Sequence, residues 1–196
     1  MIISMITLPF YKMIELEEVL ITGTSEEKIG ILENLASTNI LEIIKKIISC
    51  LDDPDIKVRG EAFSSLILNQ NNISQLLLES LKDPRKNVRG YVALVLANRN
   101  DSNAISAIVD LLKDESSMVR SCALGSLGHL KAKQAKDVIR NYIFDSNLEV
   151  KKSALQALIN IKEKMSEKEL LEIKKEQDAE IESLVVKLKK GGPEGI

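Results

Sequence analysis

Tryptophan is absent from this chain, and only three phenylalanines and three tyrosines occur in 196 residues. That excludes an aromatic-rich β-sandwich and suits helices packed through Leu, Ile, Val and Ala, which make up most of the 44% hydrophobic content. Four prolines and nine glycines are too few for a loop-rich or disordered chain. The two cysteines, Cys50 and Cys122, lie in different segments without paired spacing. They read as two thiols in a reducing cytosol, with one disulfide as the alternative, and not as half of a zinc site. A single histidine, His129, rules out multi-His metal centres and relays that need a second imidazole. No Gly-rich phosphate loop, G-x-S-x-G elbow or H-E-x-x-H helix is present, so neither catalysis nor a cofactor is expected. The apolar opening MIISMITLPF is too short to span a bilayer and has no basic start. Residues 1–9 are read as an N-terminal packing segment or frayed end, with Met5 and Met13 as alternative starts. The expected setting is cytoplasmic, away from membranes.

What the chain does have is a repeated phrase. LDDPDIKVRG at 51–60 recurs as LKDPRKNVRG at 81–90, LKDESSMVRS at 112–121 and FDSNLEVKKS at 144–153. Val58, Val88, Val119 and Val150 are spaced 30, 31 and 31 residues apart, and Asp53, Asp83, Asp114 and Asp145 keep the same intervals. Such a period is the signature of a solenoid. A degenerate copy lies upstream, where IGILENLA at 29–36 repeats the apolar pattern without the Asp-Pro or Val-Arg.

Each unit reads as two helices. The first precedes the phrase, as in ILEIIKKIISCL, with Asn39 and Asn72 as expected N-caps. The phrase supplies the turn and the start of the second helix. Asp53 and Asp83 would accept free N–H groups there, and Pro54 and Pro84 would occupy the first turn. Counting from Arg59, Arg89, Arg120 or Lys151 as zero, offsets +3, +4 and +7 form an apolar stripe, for example Ala123, Leu124 and Leu127. Stacked units of this kind give a right-handed superhelix with one helix layer lining the concave side. Ser166 and Glu169 form a capping box for one C-terminal helix, expected to seal the last repeat, with a weak coiled coil as the alternative. The expected layout is a repeat array over 10–163 (10–37, 38–70, 71–100, 101–131, 132–163). A capping helix over 164–190 and a disordered tail over 191–196 complete it.

The pattern D-P-x-x-x-V-R followed by small and apolar residues resembles the HEAT repeat, in particular the short HEAT-like repeats also found in phycobilin lyases. The resemblance covers roughly residues 20–160. It implies an all-α solenoid of about five two-helix repeats plus the capping helix. It also implies a structural role for the pairs Asp53/Arg59, Asp83/Arg89, Asp114/Arg120 and Asp145/Lys151, tying turn to helix and repeat to repeat. About function it says little, because the family includes scaffolds, adaptors and a few enzymes.

On each second helix, offsets +2, +5, +6 and +9 lie opposite the core stripe. Glu61, Tyr91, Leu94, Val95, Asn98, Cys122, His129, Gln156 and Asn160 are the candidate partner-binding groove among them, with Glu61 the one charged residue. Such a strip either receives a peptide or helix of a protein partner or is partly buried between repeats. Cys122 and His129 are two helical turns apart, too far for a direct nucleophile pair. The second candidate is a basic edge of Lys57, Arg85, Lys86, Lys151 and Lys152 facing phosphates. Residues 82–152 carry thirteen basic and eight acidic groups, whereas residues 1–81 carry six and twelve. The sequence is thus expected to encode a monomeric, non-catalytic scaffold or adaptor for a protein partner. Nucleic-acid binding is the alternative, and a bilin-lyase-like or chaperone role follows from the resemblance alone.

Overall fold

The computed structural model describes residues 10–190; the expected N-terminal segment 1–9 and tail 191–196 lie outside the described residues. All elements found among the described residues are helical, with twelve α-helices and no strand. The chain divides into two compact units, Met1–Leu76 and Leu77–Ile196.

The first unit holds α1 (Phe10–Thr22), α2 (Ser25–Leu32), α3 (Leu41–Ser49), α4 (Ile56–Leu68) and the start of α5 (Ser74–Ser80). Helix α1 packs on α3 and α2 on α4, so the degenerate upstream copy is a complete helix pair. Its second helix opens with a capping box that the repeat comparison does not show. Thr24 N–H donates to Glu27 Oε2 at 2.8 Å, and Glu27 N–H donates back to Thr24 Oγ1 at 3.3 Å. Ile43, Ile44, Ile47 and Ile48 bury the inner face of α3. Asn39 does not cap this helix. The N-cap is Ile40, whose N–H donates to the Thr38 hydroxyl at 3.3 Å.

The second unit continues through α6 (Lys86–Asn98), α7 (Ile105–Asp110), α8 (Ser117–His129), α9 (Lys136–Asn141) and α10 (Leu148–Asn160). It ends with α11 (Glu167–Ile173) and α12 (Ala179–Lys190). Helices α6, α8, α10 and α12 pack side by side in that order, with α7 against α8 and α9 against α10. The core stripe is buried as its spacing predicts, from Val92, Ala93 and Leu96 to Ala154, Leu155 and Leu158. In the first unit Ala62 and Leu66 are buried and Phe63 is half-buried.

The C-terminal region departs from expectation. The segment read as one capping helix over 164–190 is two helices. The Ser166–Glu169 box forms, but its helix ends at Ile173 and tightens into a 3₁₀ turn at Lys174–Glu176. Gln177 then adopts φ 54° and the chain restarts as α12, with Asp178 Oδ1 accepting Glu180 and Ile181 N–H at 3.0 Å each. Gln177 thus marks a turn inside the stretch expected to be one helix. The array ends in a sixth helix pair, and no single cap follows a fifth.

Candidate partner-binding face

The turns between paired helices set the second helices in place. In each of the four phrases the aspartate forms the same Asx-turn. Asp53, Asp83, Asp114 and Asp145 accept the N–H two residues on, at 2.9, 2.9, 2.9 and 2.8 Å. These side chains thus shape the turn and do not cap the helix, and Pro54 and Pro84 precede α4 and α6 instead of occupying their first turns.

The arginines act in two directions. Arg59, Arg89 and Arg120 each give Nη1 to the carbonyl of the aspartate in their own phrase, at 2.7, 2.9 and 3.0 Å. The carboxylate they grip belongs to the next phrase. Arg89 holds Asp114 through Nε and Nη2 at 2.7 and 3.0 Å, and Arg120 holds Asp145 at 2.9 Å through both. The expected pairs Asp83/Arg89 and Asp114/Arg120 are therefore linked through carbonyl oxygens, and the ion pairs run between repeats. In the first unit Lys28, 31 residues before Arg59, plays the same part, pairing with Asp53 at 2.7 Å. The Arg59 Nε is buried without a hydrogen bond among the described residues. Asp83 is forked by Arg85, at 2.8 and 2.7 Å. Burial raises the Asp114 and Asp145 carboxyls, but the arginine forks, the turn N–H groups and nearby cations outweigh it and hold both below the usual carboxylate range.

On the outer face of the second helices, offset +6 is not surface at all. Val95 is 0% exposed, and Ser65, Ser126 and Ala157 are also buried, so Val95 is core and unavailable to a partner. The physical reason is close stacking. A Cβ on Gly128 would stand 2.9 Å from Ala157 Cα, and one on Gly90 would stand 2.8 Å from Met118 Sδ. Offsets +2, +5 and +9 remain. In the second unit Tyr91, Leu94, Cys122 and Ser153 are half-buried, while Asn98, Gly125, His129, Gln156 and Asn160 are exposed. Asn98 Nδ2 donates to its own helix at Leu94 O, 2.8 Å, and Gln156 Nε2 donates to Asn160 Oδ1 at 2.9 Å. Cys122 lies 3.6 Å from Met118 Sδ, and burial pushes its thiol up to about 11, so it stays protonated and unreactive at neutral pH. In the first unit Glu61 is half-buried, and Leu68 at offset +9 is 62% exposed.

Two of the five residues of the candidate basic edge are engaged in ion pairs. Lys57 and Lys86 are exposed, but Arg85 is committed to Asp83. Lys152 has a side chain only 13% exposed and is drawn to Glu180 at 2.9 Å and to Asp178 and Glu149 at 3.3 Å each. The Glu180 bond, opposed by desolvation and aided by the other two acids, raises its pKa. Lys152 thereby fastens α12 to α10, and Lys151 is half-buried. Among the described residues no group of three or more His, Cys, Asp or Glu is placed to hold a metal ion. No helix among them is long and apolar enough to cross a membrane.

A family model described as HEAT repeats matches residues 74–159. No curated protein matches the sequence. Among solved structures, the chain is similar to crescerin, described as using a TOG domain array to regulate microtubules in the primary cilium. The identity is 16%, over 94% of this chain and 90% of that one, with a TM-score of 0.58. An engineered protein gives 20% identity over 92% and 98% of the two chains at 0.53. A designed armadillo repeat protein in complex with the peptide (KR)4 gives 17% over 90% and 98% at 0.51. At such identities the likeness is one of fold. The chain is an all-α repeat solenoid whose residues 74–159 match the HEAT-repeat family model.

Proposed function

We propose that this protein is a non-catalytic scaffold or adaptor that holds a segment of a protein partner on the exposed face of α6, α8 and α10. The observation that carries this reading is a row of hydrogen-bonding side chains at one register. Asn98, His129 and Asn160 end successive helices packed side by side, 31 residues apart and all exposed. An extended segment crossing three such helices would meet one amide or imidazole per repeat, with Leu94 and Tyr91 offering apolar contact. Side chains set on packed helices hold their positions without a ligand, which limits the ordering cost of binding. Two thiols, one of them buried, suit a reducing compartment such as the cytoplasm.

The test is affinity capture from native lysate with the wild-type chain and with an Asn98→Ala/His129→Ala/Asn160→Ala variant, helicity being checked by circular dichroism. A protein captured by the wild type, resistant to nuclease and lost with the variant supports the reading. Equal capture by both chains removes the face from consideration.

A further inference from the structure

We infer that the segment received on the α6–α8–α10 face is acidic, an inference that rests on the interaction reading above. In the second unit, offsets +2, +5 and +9 carry no acidic or basic side chain apart from His129 itself. Charge begins where the helices end. Lys131 follows His129 by two residues and Lys162 follows Asn160 by two, and Lys133 and Lys164 come two residues later still. All four are exposed, and none belongs to an ion pair among the described residues. Lys131 and Lys162 sit at φ 51° and 59° in hydrogen-bonded helix ends, so the backbone fixes the point from which each side chain leaves, two residues beyond the row.

The acids on the same border are engaged. Glu163 lies 3.0 Å from Arg140 Nη2, and the half-buried Asp101 accepts the Asn103 N–H at 3.1 Å. At the opposite ends of these helices, Asp83, Asp114 and Asp145 are spent on Arg85, Arg89 and Arg120. Lys131 and Lys133 belong to the stretch 82–152 with its thirteen basic and eight acidic residues, and Lys162 and Lys164 lie beyond it. Lysines on the rim of a neutral, hydrogen-bonding strip attract carboxylates from a distance and reject a cationic chain. Tyr91 is the one aromatic on the strip and is half-buried, which gives nucleic-acid bases little to stack on, so an acidic peptide is the occupant that fits. The designed armadillo protein that binds (KR)4 shares the fold, and the charge bordering this face calls for the opposite peptide.

The experiment selects random displayed peptides on the full-length chain at low and moderate salt. Winners are then measured against three chains of checked helicity: wild type, Lys131→Glu/Lys162→Glu, and Asn98→Ala/Asn160→Ala. A single-stranded oligonucleotide serves as competitor, and labelled (KR)4 is tested for direct binding on its own. The expected result is peptides in which Asp and Glu outnumber Lys and Arg, bound on the order of tenfold more weakly by both variants, with no binding of labelled (KR)4 to the wild type. Neutral or basic winners lost only with the asparagine variant would overturn the acidic assignment and leave the interaction face standing. Winners indifferent to both variants, or no winners, would overturn both readings. Displacement by the oligonucleotide, with loss only in the lysine variant, would move the lysine border to nucleic acid.

Discussion

At the scale of single residues, two roles recur with the repeat period. The first belongs to the turn aspartates. Asp83, Asp114 and Asp145 titrate below the ordinary carboxylate range in the folded chain, so unfolding raises their pKa values. For groups depressed in the native state, the stabilisation is complete above the unfolded value, about 4, and is lost as pH falls through the folded value. Urea denaturation against pH should therefore give nearly constant stability from neutrality to about pH 4 and a fall below it. Asp145→Asn should be less stable at neutral pH and lose less on acidification, and an unchanged acid limb would refute the role. The second role is the left-handed residue closing α6, α8 and α10. Asn100 suits that conformation, whereas Lys131 and Lys162 bear the cost of a Cβ there. Lys131→Gly should stabilise the chain by about 0.5–1 kcal/mol, read as a rise in denaturation midpoint. A fall would mean that the lysine side chain contributes more than its backbone costs.

At the scale of elements, the four helices α4, α6, α8 and α10 are each 13 residues long. Three of them end in the same closure, in which the N–H of Asp101, Ala132 or Glu163 returns to Leu96, Leu127 or Leu158. Helix α4 ends differently. Its C-cap Asn69 is extended, and the Asn69 amide donates to Thr38 O at 2.8 Å, binding the end of α4 to the α2–α3 connection. The terminal pair relies on ion pairs. Arg140 grips Glu163 and Glu169, and Lys152 grips Asp178 and Glu180. Helix α11, seven residues long, depends on its cap. Ser166→Ala should cost about 1 kcal/mol and raise hydrogen exchange in α11 while leaving α8 protected. Equal exchange in wild type and variant would show that packing of Leu170 and Ile173 suffices.

At the scale of the whole molecule, a solenoid distributes stability over neighbouring repeats instead of concentrating it in one centre. Leu127 is fully buried on α8, and Leu127→Ala should cost about 2–5 kcal/mol. Hydrogen exchange should place the loss chiefly in α6, α8 and α10, the helices that share its layer. Loss spread evenly from α1 to α12 would instead mark a single cooperative block. The charge distribution is also a whole-chain property, with an acidic first stretch and a basic middle. After the ion pairs are formed, what remains exposed beside the row of Asn98, His129 and Asn160 is lysine.

The amino-acid sequence by itself determined the class of fold, the register of the second helices and their buried stripe. Each of these follows from residues that recur at a fixed interval, and Val88, Val119 and Val150 can be aligned without coordinates. The structural role of aspartate and arginine came from the resemblance to the HEAT repeat, on residues the sequence already displays at fixed spacing. The tertiary structure decided which arginine meets which aspartate, since carboxylates 25 residues ahead and six residues behind are equally visible in the chain and only packing brings one within 3 Å. It revealed Lys28 as the stand-in for arginine in the degenerate copy and Lys152 as the fastening of α12, neither of which keeps the motif. Packing also put Val95 in the core while leaving Asn98 in solvent three residues later. How closely two helices approach depends on the neighbour each one meets, here Gly90 and Gly128 against α8 and α10. That distance is a property of the pair, and no periodicity within one helix records it.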